Sequence, residues 1–407
     1  MSDHVDAGEW SPRRLRLVLA ALLTGTLLAP LNSSMVAVAL YPVQQHFAVP
    51  LATAGWVVIA FYLTSCIAQP MLGRAADLVG PRRLFLAGML LAAAAAVGAA
   101  LAPALWVLVG CRILHAVGGS TAYPCAMVIV RRHGGGAARL TGVATVNTAA
   151  AAIGPVLGGA LTSVAGWQAI FWINLPLALG AFAVAAVAIG PDERRAAGPG
   201  RVRTPFVDLA ALRRARGVRT VLGTFVLFNL AYYAAFYGLP QWLQDDRNAG
   251  AAQAGLLILP LSATSVAATV LGAAVMRRCG VGPTMIAGGA LLLAGAAVVV
   301  TFGPGTPMWV VVLDGIVLGI PYGLCNLGLQ RLMYHRAPPR LTGSVGGLFQ
   351  SARYTGAILA VGLVGVLAGA GIGPLAVAMT AIAAIVVALL VSDLRRARER
   401  VHAGSPA

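Results

Sequence analysis

Lysine is missing from this chain of 407 residues; all 29 basic residues are arginine. Acidic residues number only 12, and charged residues make up 10% of the chain, against about 25% in an ordinary soluble domain. Without lysine no Gly-x-x-x-x-Gly-Lys phosphate loop can be written, so ATP-driven pumping by this chain alone is excluded. Cysteine is sparse as well. Cys66, Cys111, Cys125, Cys279 and Cys325 have no metal-ligand spacing, so neither a metal site nor a disulfide framework is expected. No nucleophile triad stands out, and the chain is not read as an enzyme. The strict apolar-polar alternation of a membrane β-barrel is also lacking.

What the chain has is apolar length, with 59% hydrophobic residues. A spanning helix needs roughly 20 apolar residues. Twelve such stretches lie at about 15–40, 51–72, 84–102, 105–130, 140–162, 168–189, 218–240, 253–276, 282–302, 308–331, 342–367 and 373–392. Helices follow, because lipid offers no partner to open strand edges. The first stretch is too long for a signal-peptide core and leads into further spans, so it is span one. Arg139-Leu140-Thr141-Gly142 recurs as Arg340-Leu341-Thr342-Gly343, 201 residues on. Ala54-Gly55 and Ala254-Gly255, and Thr64-Ser65 and Thr264-Ser265, repeat at nearly the same offset. The expected fold is therefore an all-α membrane protein of twelve transmembrane helices in two pseudo-symmetric six-helix bundles. Repeated halves with a site at their interface are the architecture of secondary transporters.

The net charge of +17 would suit nucleic acid, but its distribution does not. Arginines cluster at the N-terminus and in every second loop: Arg74/Arg82/Arg83, Arg131/Arg132/Arg139, Arg194 to Arg219, Arg277/Arg278, Arg336/Arg340 and Arg395 to Arg400. The intervening loops are nearly uncharged apart from Asp245, Asp246 and Arg247. Positive residues stay on the cytoplasmic side, which places both termini there and makes the span count even. Five segments follow: a cytoplasmic tail at 1–14, a bundle at 15–189, a cytoplasmic linker at 190–217, a second bundle at 218–392 and a basic cytoplasmic tail at 393–407. Within the linker, Val207 to Arg214 could form a short helix on anionic headgroups. The lack of lysine and the wealth of Ala and Gly suit a GC-rich bacterial genome, so the expected location is a bacterial cytoplasmic membrane. The expected partners are a small-molecule substrate and the lipid bilayer, with no nucleic acid.

Several runs carry the mechanism. The loop after span two reads Gly73-Arg74-Ala75-Ala76-Asp77-Leu78-Val79-Gly80-Pro81-Arg82-Arg83, a tight turn at Gly80 with an acid and two bases at the interface. It resembles the cytoplasmic loop signature of the major facilitator superfamily, with Pro81 where that family often has a basic residue. The resemblance implies a conformational latch for the outward-facing state, formed by Gly73, Asp77, Gly80, Arg82 and Arg83. The counterpart from Gly272 to Gly282 keeps Arg277 and Arg278 but lacks the acid. Span five contains Gly154-Pro155-Val156-Leu157-Gly158-Gly159. Gly beside Pro lets a helix bend, and glycines let helices approach. The run resembles the antiporter motif of export members. Gly166 to Pro176, Leu239 to Gln244 and Ala254 to Pro260 resemble the drug:proton antiporter branch, here with twelve helices and no room for that branch's two extra ones. The resemblance implies export of an amphipathic small molecule, a drug or natural product, by proton antiport and alternating access, with the proton gradient as energy source and no cofactor; a monomer is expected, as is common in the superfamily.

Charges within the spans come next, since an Arg at the centre of a spanning helix costs roughly 2.5–3.5 kcal/mol on insertion scales. Span four holds Arg112 and His115, in a run that resembles the family's span-four motif, with His115 and Ala116 where Gln and Gly are usual. Arg353 lies in span eleven, and Asp314 in span ten near the pseudo-symmetric equivalent of Arg112. In span one, Asn32 stands where the resemblance expects Asp. Asn cannot carry a proton, so the coupling candidates are Asp314 first, because burial penalises the charged form, then His115, with Arg112 and Arg353. Protonation of Asp314 is expected to release it from an Arg. Cavity candidates are Asn32, Tyr123, Asn229, Tyr233, Tyr237, Asn326 and Tyr354; of these 229, 233 and 237 share a helical face. The alternative reading is a facilitator or symporter for an anionic metabolite, because Arg112 and Arg353 outnumber the single buried acid. A non-transporting sensor or scaffold is the third.

Overall fold

The computed structural model describes residues 11–132, 137–192, 216–337, 345–367 and 369–403; within these, the side chains at 70, 74, 77, 131–132, 137–149, 216, 345–347 and 397–403 lie outside the description. The described residues form fifteen helices and no strand. The first half holds α1 (Pro12–Phe47), α2 (Leu51–Ala54), α3 (Trp56–Val79), α4 (Pro81–Ala100), α5 (Leu105–Ser120), α6 (Ala122–Arg132), α7 (Ala137–Ala165), α8 (Ala169–Trp172) and α9 (Asn174–Ala188). The second holds α10 (Arg216–Asp245), α11 (Ala251–Cys279), α12 (Val281–Val299), α13 (Met308–Arg336), α14 (Val345–Leu367) and α15 (Ile372–Ala403).

Three spans are built from two helical pieces each, α2 with α3, α5 with α6 and α8 with α9, so the fifteen helices make twelve spans. Eleven stretches are long and apolar enough to cross a membrane, and α7, whose shorter apolar part is Ala150–Ala165, is the twelfth. Two boundaries differ from the sequence reading. Helix α1 starts at Pro12, inside the expected tail, because Pro fits the first helical position and the Ser11 hydroxyl accepts from the Arg14 N–H at 3.3 Å. Helix α15 runs to Ala403, through the tail expected from residue 393. Its last stretch, Leu394-Arg395-Arg396-Ala397-Arg398-Glu399-Arg400, is made of good helix formers, so the helix outlasts the apolar run. The second Arg-Leu-Thr-Gly copy and the 207–214 segment lie outside the described residues, as do the side chains of the first copy.

The duplication is visible in the packing. In the first bundle α1 packs on α7 and α9, α4 on α5 and α9, and α3 on α5; in the second α10 packs on α14 and α15, α12 on α13 and α15, and α11 on α13. These are the same five span pairs. Gly80 and Gly280, 200 residues apart, both take positive φ (103° and 83°) and both precede a helix, α4 and α12. Such a backbone suits glycine because it has no Cβ.

The bundles meet along two related seams, α7 against α11 and α14 against α2 and α3, with α1 and α10 between them. Among the described residues, close contacts between the bundles lie towards the face of the 47–51, 165–169, 245–251 and 367–372 connections, opposite the Arg-rich loops. Cβ atoms at Gly159 and Gly365 would lie 2.5 Å from the Ala251 carbonyl oxygen and 2.7 Å from the Ala52 Cα. With no hydrophobic drive between helices in lipid, such close backbone approach supplies the packing. The Ser163 hydroxyl accepts from the Ala252 N–H at 2.9 Å, and Gln241 and Gln244 donate to the Ala37 and Val38 carbonyls at 3.2 and 3.0 Å.

Candidate functional site

Between the middles of α1 and α5 and the first turns of α3 the first bundle buries Arg112 completely. Its Nε donates to the Val57 carbonyl at 3.0 Å and its Nη1 to the Asn32 side-chain oxygen. Its guanidinium lies over the Phe61 ring at 4.3 Å and near Phe171 at 5.9 Å, a favourable cation–π arrangement. Among the described residues Nη2 has no hydrogen-bond partner, and a buried donor left unmade is costly. Asn32 is itself fully buried, so the position expected to carry an acid instead holds a neutral acceptor for Arg112. His115 is buried beside Phe61, ring centroids 6.3 Å apart, and neither ring nitrogen has a hydrogen-bond partner among the described residues.

Next to Arg112 a tyrosine cluster crosses from one bundle to the other. Tyr62 of α3 shares a 3.0 Å hydrogen bond with Tyr237 of α10. Its ring stacks on Tyr354 of α14 with centroids 5.3 Å apart, and Gln69 donates to the Tyr354 hydroxyl at 2.7 Å. Tyr233 sits 6.2 Å from Tyr62 and 6.1 Å from Tyr237, while Tyr232 lies 4.4 Å from Tyr322. The guanidinium of Arg353 is 5.1 Å from the Tyr354 ring. The sequence candidates Asn32, Arg112, Tyr233, Tyr237, Arg353 and Tyr354 are thus brought together.

Other candidates go elsewhere. The Asp314 carboxylate points at α12, where a Cβ on Gly295 would be 3.3 Å away, and its Oδ2 has no hydrogen-bond partner among the described residues. It does not meet Arg112: among the described residues the ion pair is Arg336–Asp393 at 2.7 Å. The expected release of Asp314 from an Arg is therefore corrected. The two side chains occupy matching spans but belong to different helix–helix contacts. Asn229 donates to Phe225 within its own helix and packs against Gly356 of α14, away from the tyrosines. Tyr123 is exposed, and Asn326 is half-buried on α13.

The antiporter-motif residues of α7 divide between two neighbours. Gly154 and Gly158 face Ser34 and Met35 of α1, whereas Pro155 and Gly159 face Gly255 and Ala251 of α11. At the latch loop the Asp77 side chain lies outside the description. The carboxylate in evidence there is Asp192, beyond α9, which the sequence reading left in the linker. Its two oxygens accept from the Arg82 and Arg83 N–H groups at 3.0 and 2.9 Å, capping α4. Arg82 Nη2 donates to the Ala186 carbonyl at 2.7 Å. A Cβ on Gly80 would collide with that carboxylate. One signal could have found it: Asp393, tied to Arg336, lies 201 residues after Asp192, the offset of the Arg-Leu-Thr-Gly repeat. Asp192→Ala is expected to cost about 1 kcal/mol through the lost cap, lowering the first bundle's melting midpoint by about 2–4 °C. Thermal unfolding in detergent, followed by thiol-reactive fluorescence, measures this; an unchanged midpoint would deny Asp192 a capping role.

The model of the Major Facilitator Superfamily matches residues 22–361. Among curated relatives, the uncharacterized MFS-type transporter YwoD of Bacillus subtilis (strain 168) is 31% identical, across 88% of this chain and 91% of its own length. The methylenomycin A resistance protein of Streptomyces coelicolor is 26% identical, across 86% and 84%. The tetracenomycin C resistance and export protein of Streptomyces glaucescens is 25% identical, across 87% and 76%. Among solved structures, the nucleoside transporter NupG superposes with a TM-score of 0.72 at 13% identity, over 95% of this chain and 99% of NupG. A bacterial homolog of the human lysosomal transporter Spinster, inward-facing and occupied, gives 0.74 at 15% identity, over 95% and 98%. These two likenesses carry the fold alone.

Proposed function

Because this chain belongs to the major facilitator superfamily, we propose that it is a secondary exporter of an aromatic, amphipathic small molecule, working by alternating access at the tyrosine-lined bundle interface. The carrying observation is that interface itself: Tyr62, Tyr233, Tyr237 and Tyr354 join both bundles in one buried cluster. Aromatic walls with a few polar tips suit bulky amphipathic ligands. Relatives named for antibiotic resistance and export support the outward direction. With the Arg-rich loops cytoplasmic, the described contacts of Gly159 and Ser163 with Ala251 and Ala252, and of Gly365 with Ala52, lie towards the outer face and have to part for outward release.

The proton gradient is the proposed energy source, and Asp314 the proposed carrier. It is a buried carboxylate without an ion-pair partner among the described residues, on a helix that packs on both α11 and α12. The test is efflux from proteoliposomes under an imposed proton gradient. Asp314→Asn is expected to reduce gradient-driven accumulation to the no-gradient level while sparing downhill exchange. Full gradient-driven transport in that variant would remove Asp314 from the mechanism.

A further inference from the structure

The interface holds positive charge with no carboxylate among the described residues to neutralise it. Arg112 comes from the first bundle and Arg353 from the second. Tyr62, hydrogen-bonded to Tyr237 at 3.0 Å, links the two sides: its ring lies 5.8 Å from Phe61, which the Arg112 guanidinium covers at 4.3 Å, and 5.3 Å from Tyr354, whose ring is 5.1 Å from the Arg353 guanidinium. Among the described residues neither guanidinium has a carboxylate at ion-pair distance. Arg112 is fully buried, has filled one donor with a backbone carbonyl and one with Asn32, and leaves Nη2 unmade. Arg353 leaves Nε unmade. A buried ion without its counter-ion costs several kcal/mol, and a guanidinium is a fork shaped for a carboxylate.

Resting on the transport reading above, we propose that the transported compound brings the missing anion: an aromatic organic acid whose carboxylate is received between Arg112 and Arg353 and whose rings stack among Tyr62, Tyr233 and Tyr354. This gives Asn32 a role. An aspartate there would compete for Arg112, whereas the amide oxygen orients the guanidinium and leaves its charge for the ligand. It also links binding to movement, because one anion drawing on an arginine from each bundle pulls the two together. Export of an anion from a cell that is negative inside is favoured by about 2.3 kcal/mol per charge per 100 mV, which adds to the drive from inward proton movement.

The test uses full-length protein in nanodiscs and measures binding of four probes: 1-naphthoate, its neutral carboxamide, 1-naphthylmethylammonium and cyclohexanecarboxylate. Naphthoate is expected to bind at least about tenfold more tightly than the carboxamide, that is about 1.4 kcal/mol. Arg112→Gln and Arg353→Gln are expected to bring the ratio close to one, with Arg353→Lys retaining part of it. Carboxamide or ammonium binding as tight as naphthoate overturns the proposal, and so does a ratio that survives both glutamine variants. Cyclohexanecarboxylate equal to naphthoate overturns its aromatic half. These comparisons among probes in the unaltered protein do not depend on any variant folding. If no probe binds while a neutral amphipath is still exported, the anion proposal fails and the exporter reading stands. If naphthoate is preferred but nothing is transported, the exporter reading fails instead.

Discussion

Leucine at Gly159 or Gly255 is expected to break the seam between α7 and α11 and open the face opposite the Arg-rich loops. The added Cβ at Gly159 would lie 2.5 Å from the Ala251 carbonyl oxygen, and one at Gly255 would run into that of Pro155. Both obstacles are backbone, which has no rotamer to yield. The bundles themselves can separate, so the strain shifts the balance between states and leaves each bundle folded. Overpacking of this kind costs about 1–3 kcal/mol, a shift of about 5- to 150-fold in the balance of states. The readout is cross-linking between cysteines introduced by Ser163→Cys and Ala252→Cys, positions joined by a 2.9 Å hydrogen bond, in a background with the five native cysteines replaced. The cross-link should form readily in the parent and fall steeply in Gly159→Leu. Equal yields in both would show that this contact does not hold the closed face.

Gly323→Leu should have a different and larger consequence. Its Cβ would collide with the backbone of Ala268 and Thr269 where α13 crosses α11. Both helices belong to the second bundle, so no rocking motion relieves the clash, and the loss appears as unfolding. A cost at or above about 3 kcal/mol is expected, the upper end for overpacking against an unyielding neighbour, with little folded protein recovered in detergent. Gly362→Leu on α14 is the control, since a Cβ there meets nothing within 4 Å. If both variants melt with the parent, glycine-mediated contact between α11 and α13 does not set the bundle's stability.

How much of the site was legible can be argued residue by residue. Arg112, Arg353 and Asp314 were conspicuous because a charge in an apolar span is expensive and needs a reason. Tyr233 and Tyr237 could be grouped by helical spacing. Asn229 shares that spacing but faces α14, because a helical face wide enough to hold three such positions can touch more than one neighbour. Tyr62 and Gln69 carried no signal within α3; they matter only because α10 and α14 of the other bundle lie against them. Asp192 looked like part of a polar linker until the fold set it beneath the first turn of α4.

By itself the sequence determined the number of spans, their membership in two like halves, and the side on which the arginines gather. Each of these follows from a local quantity: twenty apolar residues suffice to cross lipid, a repeat is a repeat wherever it lies, and loop charge needs no partner to be counted. Only the tertiary structure decided which charges meet. Arg112 and Asp314 hold matching places in the repeat yet point into different contacts, whereas Arg112 and Arg353 flank one aromatic cluster, over Phe61 and beside Tyr354. Such pairing depends on the rotation of each helix about its axis, which is fixed by glycines meeting the backbone of the neighbouring helix and is invisible along a single chain.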